Sequence, residues 1–208
     1  MNIILTYLFL FILIIIRNLE ELSNIDNIHL KAEICLNLKP LINIIDNQLI
    51  IDLNTKLIEE NNSKIKISSI DNLITFGKSG VNINKYKAFV IQILKVINND
   101  DAKEVKTHLL EYFSELLSIY MQIYEIKDLL GEMFIKLIKD TDKDISLLLI
   151  TKLHKIIEIL SSTTNSSSNT NLSSDINSND EDILENILRE LSTLMEEHVL
   201  VVVKSNQN

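Results

Sequence analysis

The sequence predicts an all-α fold, a solenoid of about three to four stacked helical hairpins. Three observations carry that prediction. The first is one pattern written twice, forty residues apart: LKVINNDDAKEVKTHLLEYFSELLSIY (Leu94–Tyr120) and FIKLIKDTDKDISLLLITKLHKIIEIL (Phe134–Leu160). When one is laid on the other, Ile97 meets Leu137, Asp100 meets Asp140, Val105 meets Ile145 and Phe113 meets Leu153. Leu109-Leu110 likewise meets Leu149-Ile150, and Leu116-Leu117 meets Ile156-Ile157. Self-similarity at such a period marks units that stack on one another. The second observation is the scarcity of breakers: 3 Gly and 1 Pro in 208 residues leave few of the positions that punctuate β-rich folds. The third is the width of the apolar stripe, at i, i+4, i+5, i+8, i+11 and i+12 from Val105 or Ile145. It is too wide for a two-helix seam and suits a helix held between neighbours. A lone pair cannot bury such faces, whereas a stack can.

Composition narrows the function classes. With 46% hydrophobic residues the chain can bury a substantial core. The net charge of −9 argues against binding a phosphate backbone, which calls for clustered Lys and Arg, so nucleic acid is not an expected partner. Cys35 is the single cysteine, so there is no internal disulfide framework and no cysteine zinc site.

In chain order, Ile3 to Ile16 is a nearly unbroken apolar run, too short for a comfortable membrane span of about 20 residues. Its length suits a signal-peptide core, yet no Lys or Arg precedes it and no small-x-small cleavage site follows. Residues 1–16 therefore read as the inner helix of a first repeat, as a signal sequence, or as a membrane anchor. Through these residues alone would the chain meet a membrane. A mature N-terminus near Leu22 to Asn27 would identify a removed leader.

Asn24–Ile45 follows with Ile28, Ala32, Cys35 and Leu36 at helical spacing, and Pro40, lacking an N–H, should end or kink that helix. Asp46-Asn47 reads as a turn. Leu49–Gly77 is a weaker copy of the repeat: Leu57, Ile65, Ile70, Leu73 and Phe76 stand forty residues before Ile97, Val105, Leu110, Phe113 and Leu116. Its turn is Glu59–Ser63, with Asn62 or Ser63 able to cap the next helix. Ile28 aligns with Ile65 at a spacing of 37, as an earlier and more divergent unit. Gly77-Lys78-Ser79-Gly80 superficially suggests a phosphate loop, but Asn72 stands where that motif needs its first Gly; a Gly that ends one helix is the better reading. The two strong repeats then place an apolar helix (Tyr86–Ile97, Ile126–Ile138) before an acidic turn and a second helix. Carboxylates in that turn can accept from the unpaired N–H groups of the second helix and favour its positive end.

Residues 161–179 change to a Ser/Asn-rich tract with too few apolar groups to offset the entropy of ordering, which predicts a disordered linker or looped insertion. The last segment, 180–203, opens on Asp180-Glu181-Asp182 and carries Ile183, Ile187, Leu191, Leu194 and Met195 on one stripe. It is expected to be an amphipathic helix that caps the last repeat, or one that docks into a partner's groove.

No catalytic constellation emerges. His29, His108, His154 and His198 lie on separate segments without acidic or Cys partners at ligand spacing. Asp100, Asp101, Asp140 and Asp142 lack the dense oxygen ligands and closing Glu of a calcium loop, so helix capping is the better account. There is no nucleophile elbow and no cofactor loop. The expectation is a non-enzyme with neither metal nor cofactor.

A helix pair of about forty residues, with an Asp-containing turn, a Val/Ile-Lys-like step and a Leu-rich second helix, resembles the HEAT repeat. The likeness is clearest in DDAKEVKTHLLEYFSELL and DTDKDISLLLITKLHKII, and fainter in ENNSKIKISSIDNLITF and DNIHLKAEICLNL. It covers residues 17–160, from about Asn18 to Leu160. Within that superfamily the phrasing is most similar to the scaffold subunit of type 2A protein phosphatases and to phosphatase 4 regulatory subunits. Two departures stand out: the first helices lack the family's usual Pro, and Ser146 and His29 stand where a basic residue is typical, opposite Lys66 and Lys106. The resemblance implies a cytoplasmic, armadillo-like scaffold whose intra-repeat turns form a ridge that binds other proteins, a Ser/Thr phosphatase catalytic subunit among them. Carried over residue by residue, the ridge comprises Glu59, Glu60, Asn61 and Asn62; Asn98, Asn99, Asp100, Asp101 and Lys103; and Lys139, Asp140, Thr141, Asp142 and Lys143. Two rival readings are a secreted or membrane-anchored helical protein and a clamp-loader-like helical collar, for which Leu129–Leu160 could pass.

Overall fold

The computed structural model describes residues 17–42 and 47–167, together with positions 11, 14, 15, 187, 189, 190, 192 and 193. Among the described residues every regular element is helical and none is a strand. Residues 17–23 are helical. Beyond them run α1 (Ile28–Leu38), a 3-10 turn (Lys39–Leu41), α2 (Asn47–Ile58), α3 (Ser63–Lys78) and a second 3-10 turn (Ile83–Tyr86). Then come α4 (Lys87–Asn98), α5 (Lys103–Tyr120), α6 (Tyr124–Ile138) and α7 (Lys143–Ser167).

The ends of these helices follow from local chemistry. Asn27 caps α1, its Oδ1 accepting from the N–H groups of His29 at 3.0 Å and Leu30 at 3.1 Å. Asn62 does the same for α3 with Lys64 at 3.0 Å and Ile65 at 3.3 Å, and Asp142 for α7 with Asp144 at 2.8 Å and Ile145 at 3.3 Å. Such a cap satisfies donors that a helix start leaves unpaired and contributes about 1 kcal/mol. Pro40 falls in the 3-10 turn directly after α1, where the α-helix has already ended. Gly77 lies inside α3, not at its end; Ser79 closes the helix through its Oγ, 2.6 Å from the Phe76 carbonyl. Gly80 then takes φ +77°, the left-handed geometry that follows many helix ends.

The chain divides into two compact units, Met1–Val105 and Lys106–Asn208. In the first, α1 packs on α2 and α3, α2 packs on α3 and α4, and α3 packs on α4, so α1 and α2 each meet both their successor and the one after. The weaker repeat copy is core there: Leu57, Ile65, Ile70, Leu73 and Phe76 are all buried. Phe76 also meets the edges of Tyr86 and Phe89, with ring centroids 5.4 and 5.7 Å away. In the second unit α6 packs on α7, and the rings of Phe113 on α5 and Phe134 on α6 stack at 5.2 Å.

Two sequence boundaries shift. Helix α7 runs to Ser167, past the Leu160 at which composition places the end of the repeats. Propagating an established helix fixes one residue per hydrogen bond, so polar residues can extend it where they could not have started it. The remainder of the expected linker, 168–179, lies outside the described residues, as do Asp46 and most of 1–16. Of that first segment Phe11, Ile14 and Ile15 are described and helical, Phe11 and Ile14 exposed and Ile15 half-buried. Among the described residues no helix is long and apolar enough to cross a membrane.

Candidate protein-binding turns and the ion pairs beneath them

Each expected ridge segment forms a tight turn between two helices. Asn61 Oδ1 accepts from Lys66 Nζ at 3.2 Å, and Asn62 is spent on capping α3. The acidic positions are split by depth. Glu59, Asn99, Asp101, Lys103, Lys139, Thr141 and Lys143 are exposed, whereas Glu60, Asn98, Asp100, Asp140 and Asp142 are half-buried.

Three of the half-buried carboxylates, Glu60, Asp100 and Asp140, share a role that the sequence did not reveal. Glu60 pairs with Lys31 of α1 and Asp100 with Lys66 of α3. In the second unit Lys106 Nζ of α5 lies 2.8 Å from Asp140 Oδ2. The acceptors 60, 100 and 140 keep the forty-residue register. Asp100 and Asp140 each divide their two oxygens. Oδ2 takes the lysine of an earlier helix, while Oδ1 accepts from the N–H two residues on, Ala102 at 2.7 Å and Asp142 at 2.8 Å. A single carboxylate thus ties its own turn to a different helix.

Depth sets the energetic stakes. The side chains of Lys66 and Asp100 are only 9% and 8% exposed, those of Lys106 and Asp140 19% and 11%. Removing one partner of a well-buried pair leaves a desolvated charge and costs about 3–5 kcal/mol, with less at the wetter Lys106–Asp140 pair. Burial pushes the Asp140 carboxyl up, but the Lys106 hydrogen bond, the Asp142 N–H and the Lys106 charge together hold it below the usual carboxylate value.

These contacts correct the register of the earliest unit. Lys31 stands four residues after the cap Asn27, as Lys66 stands four after Asn62, so α1 and α3 correspond at a spacing of 35 and not 37. The basic position missing at His29 is therefore filled by Lys31. The second departure stands: Ser146 has no charge to offer, and its Oγ donates to the Asp142 carbonyl at 3.1 Å instead. Lys139, at the exposed edge of its turn, pairs with Glu190 at 3.0 Å.

A second feature missed from sequence is a polar cluster inside the first unit. Cys35 Sγ lies 3.6 Å from both the Ile65 carbonyl and Ser69 Oγ. Ser69 donates to Asn54 Oδ1 at 3.0 Å, and Asn72 Nδ2 donates to the Cys35 carbonyl at 3.0 Å. These partners come from α1, α2 and α3, and the cluster is only partly satisfied: Asn54 Nδ2 and Asn72 Oδ1 are buried without a hydrogen-bond partner. Burial pushes the Cys35 thiol up to about 11, which makes it a poor nucleophile near neutral pH. Its sequence signal was present: Asn54 and Asn72 occupy apolar phases, beside Leu53 and Leu73.

The histidines do not converge. His29 and His154 are exposed, while His108 tilts against Tyr112 at 4.8 Å between centroids; His198 lies outside the described residues. Among the described residues no three His, Cys, Asp or Glu side chains gather as metal ligands would. Comparison with protein-family models, curated proteins and solved structures finds no match for this chain.

Proposed function

We propose that the chain is a non-catalytic interaction scaffold, a HEAT-like α-solenoid that captures another protein through its intra-repeat turns. The observation that supports this reading is the recurrence of Glu60, Asp100 and Asp140, forty residues apart, each held by a lysine of an earlier helix. Such pairs stiffen the turns and leave their outer residues free of structural duty at Glu59 and Thr141. The resemblance of the repeats makes a type 2A-like Ser/Thr phosphatase catalytic subunit the specific partner proposed.

The depth of the turn residues decides how to test it. Reversing Asp100, Asp140 or Asp142 would disturb ion pairs and a cap, so loss of binding would be uninformative. The informative set is Glu59→Lys, Thr141→Lys and Lys143→Glu on the exposed rim. Affinity purification of the full chain from its source cells should bring down a phosphatase catalytic subunit, and the triple variant should lose it while keeping its circular dichroism. Capture unaffected by the triple variant overturns the turn assignment; no phosphatase in the wild-type eluate overturns the partner.

A further inference from the structure

The second unit leaves open on α7 a face that it seals on α5. Along α7, Lys143, Leu147, Ile150, His154 and Glu158 follow at steps of three or four residues, and all are exposed, Leu147 by 64% and Ile150 by 50%. At about 100° per residue they fall within about 80° of arc, so they form one stripe. The half-buried Leu153 and Ile157 run along its edge. Forty residues earlier, the counterparts of Ile150, Leu153, His154 and Ile157 are Leu110, Phe113, Ser114 and Leu117, all buried. A helix of the same chain helps to cover them: α6 stacks Phe134 on Phe113, and its Leu130 lines an apolar pocket with Phe113 and Leu117. In the sequence Thr170 and Ser174 stand forty residues after Leu130 and Phe134, so the repeat does not write a second α6 for α7.

The charges at the two ends of the stripe say what fits on it. Lys143 opens it and Glu158 closes it, with Leu147, Ile150 and His154 between. A second α7 laid antiparallel brings Lys143 of each copy against Glu158 of the other, Leu147 against His154, and Ile150 against Ile150. Laid parallel, it would set lysine on lysine and glutamate on glutamate. The stripe is therefore complementary to itself in one direction only. A two-fold interface has this property, since residue i meets j and j meets i.

We propose that α7 is the seam of a homodimer, in which two copies of the chain pair antiparallel through Leu147, Ile150 and His154. This goes beyond the scaffold reading, because the surface is the face of a helix and the partner is the chain itself. From Leu147 to Glu158 the seam is about 18 Å long, shorter than a standard interface needs. The dimer is accordingly weak, with a Kd on the order of 10–100 µM.

Sedimentation velocity of the full chain, from about 5 µM to about 1 mM, should show a monomer passing into a dimer. Ile150→Glu should raise the dissociation constant at least about 10-fold with its circular dichroism unchanged. Lys143→Glu and Glu158→Lys should each raise it about 5-fold, because each change acts at two symmetric contacts, and the double reversal should restore the wild-type value. On mild oxidation Ile150→Cys should join to its own copy and Leu147→Cys should not, the native Cys35 being buried. A wild type still monomeric at about 1 mM overturns the proposal and leaves the face to another protein or another part of this chain. So does a dimer that Ile150→Glu leaves intact, or a double reversal no tighter than its single variants. Should Ile150→Glu lose helicity, the charge reversals at exposed positions decide alone. Ile150→Glu leaves the rim of the turns as it is, so pairing of the chain and capture of a phosphatase succeed or fail separately.

Discussion

Helices α5 and α7 carry the same apolar spacing, and the structure treats them differently. In α5 all six stripe positions, from Val105 to Leu117, are buried. In α7, Ile145, Leu149 and Ile156 are buried, but Leu153 and Ile157 are half-buried and Ile150, the counterpart of the fully sealed Leu110, is 50% exposed. Leu147, off the stripe, is 64% exposed. A repeated pattern records what a helix is able to bury; the presence of neighbours decides how much it does bury. Along α7 half of the stripe has cover.

Paired truncations put the largest strain on this comparison. Leu110→Ala should destabilise by about 3 kcal/mol, because it removes transfer energy and leaves a cavity, whereas Ile150→Ala should cost under about 1 kcal/mol. Urea melts of both variants check this, and equal losses would mean that the open half of α7 is covered in solution.

The ion pairs give the next contrast. Asp100→Asn strands the deeper lysine and should cost about 3 kcal/mol, and Asp140→Asn about 1–2 kcal/mol. Asp140 adds a pH signature. Its carboxyl is held low in the folded chain, so its contribution is complete above the ordinary carboxylate range and is lost as pH falls through the folded value. Stability followed by denaturant melts from about pH 6 to pH 2 should fall less steeply in Asp140→Asn than in the wild type.

The smallest effect concerns the helix starts. Ala102 stands forty residues from both Asn62 and Asp142 yet has no side-chain oxygen with which to cap α5. Ala102→Asn should stabilise by about 0.5–1 kcal/mol, read as a rise in melting temperature. No gain would show that the start of α5 is already satisfied by other groups.

Much of the helical layout was legible because periodicity survives in single residues: Leu57, Ile65 and Ile70 could be placed in the core from their distance to Ile97, Val105 and Leu110. Caps at Asn62 and Asp142 were legible for the same reason, since a cap needs one residue at one place. The lysine–carboxylate pairs were not. Lys66 and Asp100 are 34 residues apart, and only the packing of one helix on another's turn brings them together. Misplacing α1 by two residues hid Lys31, because short apolar residues match at several offsets while a charged pair fits at one. The depth of Asp100 and Asp140 was equally invisible: sequence can mark a carboxylate as belonging to a turn but not which way it points.

Cys35 turns the buried polar cluster into a clock. As the chain's single thiol, sealed and held largely protonated, it can react with an alkylating reagent only when α1, α2 and α3 part. Its labelling rate therefore counts openings of the first unit alone, with no engineered probe. Against the melting of the whole chain, that rate would tell whether the two units come apart together or one at a time.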